Sequence, residues 1–490
     1  MSSSSDPFTV RGYVRAYDFT RQNASGYPST KNALNQQSVN FAESLHLEYR
    51  VLNTGFSFGG SYLYANPFNG CANPANIKTV PNCATASTDV SHLAPDNTLP
   101  GYELSTFYES YVQYKKNGLF AKVGDQVINT PWTNASDSRL KPASFQGADV
   151  SYSINPNYTF EVMDMDRWQP RTTNDWLQAN LLTGAGSELP YGTAPITNTA
   201  ANTGGFQYAR LGYASGNLTA NLHYYHFIDL ANFAWLDGRY TLTHEPLKPF
   251  IAIQVGDEKN TGSSVVGTIN SQVYGAQVGV NVTKNLVLTA STDVIPRKIA
   301  NLPAGFVCQA STGQILPAGK TTPAQGYPYP SAGYFVPTAA PQCIANPNGT
   351  YSVEYGGLAS PYTDSYATDP LFTTTLTQGM ADRRAPGSSE KLALTYTSTD
   401  KRLVLMVSRA YYDYGFTGFP DQTAETNGDA MYYLRPNAHG PYKGLLLRYR
   451  YGIRTDDHSS AANFPVGYPG PFFGQSPYFV YNRAQLEYDF

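Results

Sequence analysis

The sequence predicts an all-β protein: a transmembrane antiparallel β-barrel of about eighteen strands. Three observations carry this. Charged residues are 14% of the 490, against roughly 25% in an average soluble chain, yet no run of about 20 apolar residues exists to form a membrane helix. Segments of about ten residues with alternating polarity recur from end to end, as strands with one oily and one wet face require. The connections between them alternate between short and long, as the two ends of an outer-membrane barrel do.

In chain order the strands are read at 8–19, 38–52, 55–65, 102–116, 118–127, 145–154, 157–166, 206–215, 217–228, 232–243, 248–257, 271–282, 285–296, 390–399, 401–414, 429–437, 444–455 and 478–490. Every second connection is a tight turn: "LNTG", "KKNG", "NPN", "ASGN", "THEP", "TKN", "STDK" and "NAHGPY". Asn, Gly and Asp reach positive φ there, and Pro presets φ near −65°. The intervening connections are long, at 21–37, 66–101, 128–144, 167–205, 258–270, 297–389, 415–428 and 456–477, with 229–231 the short exception. The chain 1–490 is thus expected to be one barrel domain. Both termini fall at the short-turn end.

Phase within the strands gives the faces. In 444–454, Leu445, Leu447, Tyr449, Tyr451 and Ile453 share one face, and Arg448, Arg450 and Arg454 share the other. Leu119, Ala121 and Val123 oppose Phe120, Lys122 and Gly124; Leu104, Tyr108, Val112 and Tyr114 oppose Glu103, Glu109 and Gln113. The last strand sets Ala484, Leu486, Tyr488 and Phe490 against Arg483, Gln485, Glu487 and Asp489. In a closed sheet every backbone group is paired, as hydrocarbon demands, so the apolar faces meet lipid and the polar faces line a lumen. Strand-end tyrosines, drawn from 39 in the chain, form interfacial girdles. In 401–414, Arg409 falls in phase with Leu403, Leu405 and Val407, which leaves the facing of that strand open.

The four cysteines form two local pairs, Cys71 with Cys83 (83 − 71 = 12) and Cys308 with Cys343 (343 − 308 = 35), both in Pro/Asn/Gly-rich stretches. No CxxC or neighbouring His cluster is present, so two loop disulfides fit better than a zinc site; four free thiols are the alternative. A net charge of −3 and no basic tail argue against nucleic acid as a partner. "MSSSSDPF" contains no secretory signal. No cofactor or metal motif is found. His46, His223 and His226 lie on strands, but without a Gly-x-Ser-x-Gly elbow or a His-containing metal motif the reading is not an enzyme. His226, in phase with Leu222 and Tyr224, belongs near the membrane interface.

Eighteen strands leave an aqueous channel that side chains cannot fill. Residues 128–144 are the candidate to narrow it, with Asp137, Ser138 and Arg139 against the solute path; a surface loop with local Ser and Asp turn bonds is the other reading. The stretch "SDSRLKPASFQG" after "KVGDQ" and "TP" resembles the constriction region of the OprD family, substrate-specific porins of Gram-negative bacteria. "VRGYVRAYDFTR", "NLHYYHFIDLANFAWLDGRYTL" and "SQVYGAQVGVNVTKNLVLTAS" are similar to it too. Residues 297–389 and their cysteine pair depart from the family pattern.

The resemblance implies an integral outer-membrane protein among lipid and lipopolysaccharide, often grouped in trimers. It implies passage of small carboxylate-bearing solutes along a lumenal ladder, which carries over as Arg15, Lys122, Arg210, Arg239, Arg448, Arg450 and Arg483. Glu48, Glu109 and Asp237 would balance that charge and suit a zwitterion; simple pairing of Arg with Glu across a polar lumen is the alternative. A barrel that sheathes a partner, or displays 297–389 as an adhesin, is a further class.

Overall fold

Hydrogen-bond closure is what a strand-built membrane protein must achieve, and here it is complete. The computed structural model describes residues 7–22, 36–67, 103–135, 139–183, 202–263, 269–301, 306–309, 314–317, 343–363, 368–383, 386–416, 419–434, 444–456 and 478–490. The first thirteen strands are β1 (Phe8–Gln22), β2 (Gln36–Arg50), β3 (Phe56–Pro67), β4 (Leu104–Lys116), β5 (Leu119–Gln126), β6 (Ser144–Asn155), β7 (Tyr158–Gln169), β8 (Phe206–Ala214), β9 (Leu218–Phe227), β10 (Ala231–Thr241), β11 (Phe250–Asn260), β12 (Asn270–Thr283) and β13 (Leu286–Ile295). Five short strands follow, β14 (Lys298–Asn301), β15 (Phe306–Gln309), β16 (Gln314–Pro317), β17 (Cys343–Ala345) and β18 (Tyr351–Tyr355), then a single turn of helix, α1 (Met380–Arg383). The barrel resumes with β19 (Gly387–Thr397), β20 (Leu403–Phe416), β21 (Phe419–Tyr433), β22 (Gly444–Asp456) and β23 (Tyr478–Asp489).

β1–β13 and β19–β23 form one 18-stranded antiparallel sheet. Each strand pairs with its neighbour in sequence, and β23 pairs with β1, Arg15 opposite Glu487, which closes the ring. The reading of about eighteen strands holds. At the Asn117–Gly118 turn both residues have positive φ (52° and 81°), the backbone a two-residue hairpin needs.

The faces sort as an inverted protein. On β11, Ile251, Ile253 and Val255 are exposed while Phe250, Ala252, Gln254 and Glu258 are buried. On β23, Leu486 and Tyr488 look out and Arg483, Gln485 and Glu487 look in. Exposed Tyr49, Tyr152, Tyr158, Tyr240, Tyr396 and Tyr432 gather at the short-turn end, where amphipathic rings favour the interface. Arg409 is on the outer face with Leu405, Val407 and Tyr411. It donates from Nε to Tyr411 Oη (2.6 Å) and from Nη1 to Thr426 Oγ1 (2.8 Å), which settles the facing of β20.

Three expectations need correction. Leu104 and Tyr108 point inward and are buried, not in phase with Val112 and Tyr114, because the register slips between Ser61 and Tyr62 opposite them and a bulge flips the phase. Residues 415–428 are not a long loop: β20 and β21 continue pairing to Phe416 opposite Phe419. Over 413–428 apolar and polar residues no longer alternate with a period of two, so the sequence signal of a strand ends before its ladder does. Residues 297–389 are not a plain extracellular loop, since their second half folds into the barrel.

Candidate functional site

Three segments enter the lumen: 127–135 with 139–143 after β5, 170–183 after β7, and 356–363 with 368–383 before β19. They bind one another. Thr133 and Tyr362 form a parallel bridge. Thr363 Oγ1 donates to Trp132 O (2.8 Å), Asn134 Nδ2 to Thr368 O (3.0 Å) and Leu181 N to Pro361 O (3.1 Å). Beneath them the inner wall of β6–β10 is aromatic. Trp132 packs edge-on against Trp235 at 5.3 Å, and Tyr362 lies within about 6 Å of Phe145, Trp168, Phe206 and Phe227. These rings are fully or nearly fully buried, so the constriction has a hydrophobic core of its own.

The wall from β22 through β23 to β1 is basic. Arg448 donates to Asp429 from Nε (2.9 Å) and Nη2 (2.5 Å), and Arg450 Nε donates to the same carboxylate at 3.2 Å. Arg450 stands opposite Arg483 in the register. Arg483 lies over the Tyr17 ring at 4.5 Å and donates to Gln485 Oε1 (2.8 Å). Arg15 Nε donates to Glu487 Oε2 (2.6 Å), and its Nη1 donates to Arg139 O (2.5 Å), which ties the constriction segment to this wall. Arg139 itself lies over Phe19 at 5.4 Å, and Arg454 over Phe479 at 4.9 Å. The terminal amino groups of Arg450, on a half-buried side chain, bond to no described residue.

Towards the short-turn end the wall alternates in charge. His46 joins Arg11 (3.1 Å) to Ser61 (2.7 Å), Ser61 donates to Glu109 (2.6 Å), and Lys122 reaches Glu109 at 3.5 Å. Further round, Glu161 accepts from Arg210 (2.7 Å), and Asp237 accepts from Asn221 (3.0 Å) and meets His223 at 2.8 Å.

Residues 114–294 match the family model described as outer membrane porin, OprD family. Over that stretch the chain is similar to the OprD-family porins. Its fold is also that of solved porins: OccAB3 of Acinetobacter baumannii (TM-score 0.67, 12% identity, 99% of each chain covered) and a BenF-like porin of Pseudomonas fluorescens Pf-5 (0.66, 11%, 99% of this chain and 98% of that one). A third is OccK2 of Pseudomonas aeruginosa in complex with glucuronate (0.61, 11%, 98% and 97%). At these identities the structural likeness speaks for the fold. No curated protein matches the chain. An OprD-like barrel is an integral outer-membrane channel, not an enzyme.

Within this OprD-like lumen, the seven ladder positions all face inward, but in two groups. Arg15, Arg448, Arg450 and Arg483 share the basic wall. Lys122, Arg210 and Arg239 sit among the alternating charges, Lys122 and Arg210 against carboxylates and Arg239 stacked on Phe250 at 3.5 Å. Arg139 joins the basic wall, whereas Asp137 and Ser138 lie outside the described residues. So do Cys71 and Cys83, and the side chains of Cys308 on β15 and Cys343 on β17. His226 is on the outer face, bonded to Asn232 (2.6 Å). Sequence reading missed the aromatic floor. Its signal was Tyr225, Phe227, Phe233 and Trp235 falling in the polar phase of β9 and β10, opposite to the lipid-facing Leu222, Tyr224 and Leu236.

Proposed function

We propose that this porin passes small carboxylate-bearing solutes, anionic or zwitterionic, by passive diffusion along the basic wall. Arg450 carries the reading. Its guanidinium is anchored through Nε by Asp429, which leaves the terminal amino groups in the fork that grips a carboxylate. Arg448, Arg483, Arg15 and Arg139 extend positive charge along the same wall, and Asp429 and Glu487 are the carboxylates bonded to it among the described residues. Several weak sites in series let a solute enter without trapping it. The solved neighbour that holds glucuronate, a sugar carboxylate, supports the same class. Lys122, Arg210 and Arg239 with Glu48, Glu109 and Asp237 form a mixed lower stretch suited to a zwitterion. The barrel is further proposed to group in threes within lipid and lipopolysaccharide.

Reversal potentials across a salt gradient test the reading. Anion preference is expected, and Arg448→Ala with Arg450→Ala should move the potential toward the cation side. Cation preference unaltered by both changes refutes it.

A further inference from the structure

Residues 368–383 run along the inner wall from β11 to β22 as a strap with almost no secondary structure of its own; α1 is one turn. Backbone groups buried in this way need partners from elsewhere, and here the barrel wall supplies them as carboxylates. Glu425 on β21, 0% exposed, accepts four hydrogen bonds from the strap. These come from Thr375 Oγ1 (2.7 Å), Thr377 Oγ1 (2.6 Å), Leu376 N (3.0 Å) and Thr377 N (3.2 Å). Asp293 on β13, also 0% exposed, accepts from Thr373 N (2.7 Å) and Thr373 Oγ1 (2.6 Å).

The sequence "TTTLT" therefore acts as a comb. Thr373, Thr375 and Thr377, two residues apart, are all buried toward the wall, and each offers a hydroxyl to a carboxylate. The strap's carbonyls are gripped as well, Thr374 O by Lys391 Nζ (2.8 Å), Thr373 O by Tyr412 Oη (2.6 Å) and Thr377 O by Arg454 Nη1 (3.4 Å). A buried carboxylate is costly unless it is fully bonded. The strap bonds both oxygens of Glu425 and Oδ2 of Asp293, so wall and strap complement each other.

We propose that Glu425 and Asp293 are positioning residues of the constriction: they clamp the Thr373–Thr377 comb to the wall and so set the bore of the channel. Neither needs to touch solute. Only the conductance readout rests on the channel reading above; hydrogen exchange tests the clamp even if the barrel passes no current.

The experiment compares wild type with Glu425→Ala, Glu425→Gln and Asp293→Asn as refolded full chains in detergent. Backbone exchange is followed at Thr373, Leu376 and Thr377, with single-channel conductance beside it. In Glu425→Ala the Leu376 and Thr377 amides should exchange roughly tenfold faster or more, since bonds to a charged group are lost, while β1–β13 amides hold. Conductance should rise in the order wild type, Glu425→Gln, Glu425→Ala, because the Gln oxygen still accepts part of the set. Unchanged strap exchange in a folded variant overturns the clamp, as does a conductance rise with the strap still protected. Should Glu425→Ala not assemble, Glu425→Gln and Asp293→Asn read the same two quantities.

Discussion

Arg450 on β22 and Arg483 on β23 stand directly opposite each other in the register, two like charges side by side on the inner wall. Like charges so placed destabilise a sheet. The wall holds them by stacking Arg483 on Tyr17 and bonding Arg450 to Asp429. Such a pair is what the proposed passage of an anion along this wall would use.

The fork can be separated from the charge. Arg450→Lys keeps the cation and loses the planar pair of donors. Ion preference should change little, while block of the current by a small carboxylate weakens about tenfold, the equivalent of one charge-assisted hydrogen bond of about 1.5 kcal/mol. Arg450→Ala should weaken both. Titrating current block in the three proteins checks this.

The aromatic floor should act as the rigid seat of the constriction. Tyr362→Ala removes a fully buried ring that contacts Phe145, Trp168, Phe206 and Phe227. Truncations of this kind cost about 3–5 kcal/mol. The cost should fall on the inserted segments: noisier open-channel current, with barrel strand content by circular dichroism intact.

Gly124 has φ +125°, and a Cβ there would sit 2.2 Å from Ser110 O on the paired strand. Both strain and clash forbid a side chain. Gly124→Ala should lower the yield of assembled barrel, read as the fraction that resists proteolysis after refolding.

Outside the membrane, Asp229 Oδ1 accepts the Ser263 amide at 2.9 Å. That bond holds the Asp229 carboxyl below its ordinary range. A group with a lowered folded pKa contributes stability above its unfolded pKa and loses it as pH falls through the folded one. Ser263 amide exchange, followed from neutral pH downward and corrected for the intrinsic rate, should accelerate on the acid side. Asp229→Asn should flatten that dependence.

The barrel was legible because two local signals agree, alternation along strands and turn chemistry between them. Where one signal lapses, reading fails for a definable reason. The bulge at Tyr108, opposite Ser61 and Tyr62, inverts the phase of Leu104 and Tyr108. Past Asp413 opposite Gln422 the ladder continues with no period-two alternation in the sequence to reveal it. The basic wall was legible as phase, since Arg448 and Arg450 oppose Leu447 and Tyr449. Its division from the lower charges was not, because which guanidinium meets which carboxylate depends on the register between strands, which phase within a strand does not give. The strap was invisible because its shape is dictated by Glu425 and Asp293, 50 and 80 residues from their partners Thr375 and Thr373.

The central claim is a wet, arginine-walled bore that prefers carboxylates, and single-channel current through the isolated protein tests it most directly. The current is recorded with glucuronate added and then with glucose as the uncharged counterpart. The account predicts concentration-dependent block or slowed passage with glucuronate alone, abolished by Arg448→Ala with Arg450→Ala. Equal effects of the two sugars, or a response to glucuronate that survives both substitutions, would contradict it.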